Sequence, residues 1–345
     1  KTFFLSNLAT QSALAGRKTI FVNPKADGDI SKLADYIGGE TVRLSHLDQN
    51  EPGFFDPFNW AETPEEAITI ATKFITDILD LDGTQSITVG NGIKQGVARG
   101  AQCVGQAYKY IKDDAIKHDI QGLHGQNDLF RLAIALSPRK KENIAKTPFT
   151  LIQWDKKLDL PTPGQEIKIH QRLALGLLQL TCLASSQWLK DAGGGVLIFD
   201  EAWTLLQNGA GSAIVEQLGR EARSANVLPV LATQRVDDVL REGVNLETHL
   251  SRVFVLQLKD EKEQLAALKL CGLEPTDELQ DTLGKLGAQT RLDESTGTSY
   301  IQPARAIYRD LDDRHSVVHI APVPASAAAA YNTTPDMEAP VNDEV

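Results

Sequence analysis

Two carboxylates stand side by side at the end of an apolar run in Gly193-Gly194-Gly195-Val196-Leu197-Ile198-Phe199-Asp200-Glu201-Ala202-Trp203. An apolar strand delivering paired acids at its carboxyl end has the form of a Walker B motif. In that chemistry one carboxylate holds Mg2+, directly or through water, and its neighbour orients and polarises an attacking water. Asp200 is assigned to the metal and Glu201 to the water; the competing reading is a strand that ends in a solvated acidic turn. The next apolar run, Leu228-Pro229-Val230-Leu231-Ala232, delivers Thr233-Gln234-Arg235. A glutamine there can hydrogen-bond both a water and a γ-phosphate, so Gln234 is expected to sense the phosphate rather than merely cap a strand.

The chain opens on Lys1-Thr2, the last two residues of a G-x-x-x-x-G-K-[ST] loop. In that role Lys1 bridges β- and γ-phosphates, and the Thr2 hydroxyl ligates Mg2+ at the start of a helix. The dipeptide has little specificity alone; its assignment rests on the helix, strand and acid pair that follow. Because the loop glycines do not precede Lys1, the chain is expected to begin inside the loop and to bind ATP poorly by itself. Arg220 and Arg223, three apart on one helix face, either reach a neighbouring subunit's γ-phosphate or pair with Glu216 or Glu221. Arg252, Arg309 and Arg314 are weaker candidates for the same task. The histidines show no metal-like spacing, and no Gly-x-Ser-x-Gly string competes with the nucleotide reading.

Such groups need an α/β frame to bring them to one edge. After Lys1-Thr2 a helical pattern runs to Gly16, and Thr19-Ile20-Phe21-Val22 reads as a strand buried on both faces of a parallel sheet. A helix over 30–37 stopped by Gly38-Gly39 and a strand at Thr41 to Leu44 continue the alternation. From Thr63, an N-cap with Pro64 in the first helical position, the chain turns helical to about Ile144, with the polar stretch 118–127 expected as a loop. Strand character returns at Phe149 to Trp154, a long helix follows from Gln165 to Leu189, and strands recur near 253–256 and over 290–320. The expected organisation is a first part of the core over 1–60, an inserted helical subdomain over 61–147, the rest of the core over 148–320 and a disordered tail over 321–345.

The 345 residues, 42% hydrophobic, suffice for a large α/β domain. No apolar stretch reaches the roughly 20 residues that span a bilayer, and no signal-peptide layout opens the chain, so a soluble intracellular protein is expected. Cys103, Cys182 and Cys271 are widely spaced and read as buried thiols. A net charge of −11 argues against a surface that is one continuous nucleic-acid-binding field.

Together these strings resemble the conjugative-transfer and type IV secretion ATPases, the VirB-type ATPase family within the FtsK/HerA-like superfamily of ring-forming P-loop motors. The resemblance is carried by the Lys1-Thr2 helix, Phe21-Val22-Asn23-Pro24-Lys25, Gly38-Gly39-Glu40-Thr41-Val42, Phe55-Asp56-Pro57-Phe58 and the helical insertion. It continues through Asp200-Glu201-Ala202-Trp203, Ala232-Thr233-Gln234 and Tyr308-Arg309-Asp310-Leu311-Asp312. It implies a RecA-like P-loop NTPase core, hydrolysis of ATP with Mg2+, and assembly with copies of itself into a homohexamer. It also implies partners among membrane-embedded secretion or conjugation channel proteins, and a cytoplasmic place at the inner face of the membrane. The chain departs from the family in lacking the glycine loop and in carrying Asn23 where an aspartate is usual; the family's N-terminal domain does not precede Lys1, so a fragment is expected. The alternatives are a DNA-translocating motor or coupling protein, which the acidic balance disfavours, and an inactive scaffold.

Overall fold

The computed structural model describes residues 1–24, 30–44, 47, 52–140, 142–154, 161, 167–202, 218–219, 224–234, 236, 239–240, 250–292, 299–320, 327 and 330–331. The chain divides into two compact units, one of residues 9–200, 221–231 and 333–345, the other of residues 1–8, 201–220 and 232–332.

Helix α1 (Thr2–Leu14) leads into β1 (Thr19–Asn23), every residue of which is buried. An unbroken apolar run fits a central strand covered on both faces. Helix α2 (Ser31–Ile37) stops at Gly38, whose φ of 75° is left-handed and costs a residue without Cβ nothing. Then come β2 (Glu40–Arg43), α3 (Pro57–Trp60), α4 (Pro64–Leu79), α5 (Gly83–Ala98), α6 (Val104–Ala107), α7 (Asp114–Gln126) and α8 (Asp128–Ala133). Strand β3 (Phe149–Gln153), the long helix α9 (Ile169–Asp191), β4 (Gly195–Phe199) and β5 (Val227–Leu231) complete the unit. Its five strands pair in the order β2-β3-β1-β4-β5, with every neighbouring pair parallel. Pro229, which has no N–H to give, sits on β5 at the sheet edge, where that loss is tolerated. Helix α9 packs on β1 and β4 and also meets α3, α4 and α8, so it joins the sheet to the helical layer.

The helices start where their caps dictate. The Thr63 hydroxyl accepts from Glu66 N–H ahead of α4, and Asp82 forms a reciprocal capping box with Gln85 ahead of α5. The stretch expected as a loop at 118–127 is instead helical through Gln126. Asp113 caps α7 by accepting from Ala115 and Ile116 N–H, and Ile116 and Ile120, four apart, are buried. Tertiary burial of that stripe overrides the low propensity of Gly122 and Gly125. Asp56 ties the layer together: its carboxylate, fully buried, accepts from the N–H groups of Phe58 (3.0 Å), Val104 (3.1 Å) and Ala135 (2.9 Å). Burial pushes its pKa up to about 7 against the opposing pull of those three bonds. The cysteines are buried thiols, with Cys182 pushed up to about 12 by desolvation and so inert as a nucleophile at neutral pH.

The other unit contains β6 (Val253–Val255), α10 (Glu261–Leu270), α11 (Asp277–Gly284), β7 (Gln289–Leu292), β8 (Ser299–Gln302), β9 (Arg305–Arg309) and β10 (His315–His319). Strands β10-β9-β6 form an antiparallel sheet, and β7 pairs with β8 as a hairpin. Register sets Phe254, Tyr308 and Ser316 level on one face, while Val253, Val255 and Ile307 are buried on the other. The Phe254 ring stacks on Tyr308 at 4.6 Å and meets Phe4 of α1 at 5.2 Å, so this sheet braces the first turn of that helix. Within the stretch 321–345 the structure describes Ala327, Ala330 and Tyr331, which are helical and buried. Their apolar spacing is hard to see in an alanine-rich sequence.

Candidate functional site

Parallel sheets bind ligands at the carboxyl ends of their strands, and this sheet's carboxyl edge is polar. Arg43 pairs with Gln153, and Gln153 with Asn23, so the three stand level across β2, β3 and β1. Phe199 pairs with Val22, which puts Asp200 on the same level one strand further on. Asn23, Gln153 and Asp200 are all buried. Asp200 N–H donates to Val22 C=O at 3.1 Å, extending the β1–β4 ladder through the acid that ends β4.

The next residue leaves the sheet. Glu201 has φ of 54°, a left-handed conformation that costs a residue with a side chain about 1–2 kcal/mol. That step ends the extended backbone of β4. Ala202 N–H then bonds Ala232 C=O at 2.8 Å, which ties the backbone after Glu201 to the segment carrying Gln234. Further along, Val236 N–H donates to Glu263 Oε2 at 2.7 Å, in the first turn of α10. The Gln234 segment is thus held on both sides.

Within this unit three side chains expected from the sequence meet. Lys1 Nζ donates to Glu201 Oε1 at 2.6 Å, and Gln234 Nε2 donates to the same oxygen at 2.7 Å. The Lys1 and Glu201 side chains are 17% and 6% exposed, so their pairing is little screened by solvent. An ammonium, a carboxylate and an amide from positions 1, 201 and 234 thereby share one point. Lys1 C=O accepts the first bond of α1, from Leu5 N–H at 3.1 Å, so Lys1 occupies the helix cap and Thr2 its first position. The N–H groups of Thr2, Phe3 and Phe4 precede the helical hydrogen-bond ladder, the arrangement that favours an anion at a helix start. Lys1 and those N–H groups suit a polyphosphate, and the Thr2 hydroxyl beside them is a hard oxygen donor of the kind Mg2+ takes.

Other expected residues are accounted for differently. Arg220 and Arg223 lie outside the described residues. Arg309 donates to the carbonyls of Leu270 (3.1 Å) and Leu250 (2.8 Å), and Arg314 pairs with Asp310 and Asp312 in the β9–β10 turn; both have structural tasks. Arg252 is exposed. Glu263, whose partner is a backbone N–H, and the rings of Phe254 and Tyr308 under α1 are marked by no residue pattern.

A model of the AAA-like domain family matches residues 1–330. Among solved structures, the chain is similar to VirB4 of Thermoanaerobacter pseudethanolicus, with a TM-score of 0.67 at 17% identity, over 94% of this chain and 87% of that one. No curated protein sequence matches it.

Proposed function

Because the chain belongs to the AAA-like domain family, we propose that it is the ATP-hydrolysing motor of a conjugation or type IV secretion machine. Mg-ATP hydrolysis would drive substrate transfer or assembly of the channel. The observation that carries this reading is the convergence of Lys1 and Gln234 on one oxygen of Glu201. The likeness in fold to VirB4 supports the choice of machine.

Bound Mg-ATP supplies the phosphoanhydride to be cleaved and a cation that offsets charge on its oxygens. Lys1, at the cap of α1, takes the β- and γ-phosphate oxygens, with the Thr2 hydroxyl and Asp200 assigned to Mg2+. Lys1 pairs with Glu201. Once Lys1 turns to phosphate, Glu201 is released as a carboxylate able to accept a proton from water, while Gln234 orients that water. Arg220 and Arg223 are assigned to a neighbouring copy's γ-phosphate in a homohexamer. Membrane-embedded channel proteins are the proposed partners and the cytoplasmic membrane face the proposed site of work. Among the described residues no helix is long and apolar enough to cross a membrane.

The test is ATP hydrolysis by the full-length gene product with Mg2+, with and without single- and double-stranded DNA. Mg-dependent turnover indifferent to DNA is expected. Stimulation by DNA that weakens steeply with salt would move the assignment to a DNA-translocating motor, and absence of turnover in the assembled protein would leave a scaffold.

A further inference from the structure

Gln234 is itself exposed, so packing around its side chain does little to set its aim. An exposed amide can choose among several rotamers, and its reach to Glu201 Oε1 then depends on where the backbone places its Cα. That backbone is tethered at Ala232 and at Val236. Ala232 C=O accepts from Ala202 N–H at 2.8 Å, and Val236 N–H donates to Glu263 Oε2 at 2.7 Å. An N–H given to a carboxylate makes a charge-assisted bond, roughly twice as strong as one between neutral groups. The tether behind Gln234 is therefore a strong one, and it comes from a side chain that no step of the chemistry has used.

Glu263 reaches that N–H from a helix that is itself fixed. Its own N–H donates to Asp260 Oδ1 at 3.1 Å, the cap of α10, and the Gln264 amide donates to Leu258 C=O at 2.9 Å. Ala266, Ala267, Leu268 and Leu270 are buried, and Arg309 holds the far end through Leu270 C=O at 3.1 Å. A helix start favours a carboxylate on its own account, but Glu261 supplies that charge in the same turn from an exposed position. The helix start thus accounts for an acid there and not for its aim at the backbone of another segment. Resting on the nucleotide reading given above, we propose that Glu263 is a positioning residue for hydrolysis: by holding Val236 N–H it fixes the backbone that aims Gln234 at Glu201 and the attacking water. Without the tether Gln234 is present and misdirected, so turnover falls while nucleotide affinity stays.

The experiment is a double-mutant cycle read in kcat and in the Kd for ATP, with Mg2+ and the full-length gene product. Its variants are Glu263→Ala, Glu263→Gln, Gln234→Ala and the combination of Glu263→Ala with Gln234→Ala. Glu263→Ala should lower kcat about tenfold, short of the roughly 100-fold that about 1 Å of misplacement can cost, with the Kd for ATP unchanged. Val236 is half-buried, so water can take its N–H in that variant and the fold is kept. Glu263→Gln, whose amide oxygen still accepts the N–H, should recover most of the rate. In the Gln234→Ala background Glu263→Ala should cost nothing further, because its effect has no other route. Equal fold losses in both backgrounds, a Glu263→Gln variant as slow as Glu263→Ala, or a wild-type kcat in Glu263→Ala would overturn the positioning role while leaving the nucleotide site intact. Failure of wild type to bind and hydrolyse Mg-ATP would overturn the nucleotide reading as well.

Discussion

At Glu201, one carboxylate oxygen accepts from both an ammonium and an amide, and the residue's backbone is held in a left-handed conformation. A strained backbone next to a β-strand end persists only where its surroundings over-determine it, and here the Ala202–Ala232 bond and the two side-chain donors supply that constraint. Gln234 is expected to act on the reaction and little on binding. Gln234→Ala should leave the Kd for ATP near wild type and lower kcat about tenfold or more, as loss of a donor aimed at the reacting centre does; a raised Kd with unchanged kcat would remove it from that role. The acid pair and the Thr-Gln string were legible in the sequence because strand ends in a parallel sheet leave a distinct signature of apolar run followed by polar residues. The shared oxygen was not legible, since it depends on the φ of one residue and on Lys1 arriving from the other end of the chain.

At the scale of elements, the parallel strands and their caps follow from local signals: Gly38 ends α2, Thr63 and Pro64 start α4, and the apolar run of β1 marks a strand covered on both sides. The stretch 118–127 reads as a loop because glycines and polar residues mask an apolar stripe whose burial only the fold reveals. Asp56 is the element-scale residue with the most at stake. Its folded pKa of about 7 lies above the unfolded 3.8, so the folded state holds this proton more tightly. The stability contributed by that proton is fully present below 3.8 and is lost as pH rises through about 7. Asp56→Ala would strand three buried N–H groups and is expected to cost about 3 kcal/mol or more. Urea unfolding at a series of pH values should show that loss and, in the variant, a shallower fall in stability between pH 4 and pH 7; an unchanged slope would show that Asp56 does not hold the proton.

On the scale of the whole molecule, the residues singled out for the site are divided between the two units. One holds the parallel sheet with its polar carboxyl edge, and the other holds the start of α1 with Glu201 and Gln234. The family was legible because its strings are spread along nearly the whole chain, and the AAA-like match over 1–330 agrees with that spread. Assembly and partners leave weaker traces, because an interface is read from the surface of a complex and not from the order of residues. Lys1 is assigned to phosphate and Glu201 to the attacking water. The most direct measurement is ATP binding and single-turnover hydrolysis, side by side, for the full-length gene product and its Lys1→Ala and Glu201→Gln variants. Lys1→Ala is expected to lose ATP binding, whereas Glu201→Gln should bind ATP as wild type does and hydrolyse it about 100-fold or more slowly; hydrolysis at the wild-type rate in Glu201→Gln would remove Glu201 from the role of base.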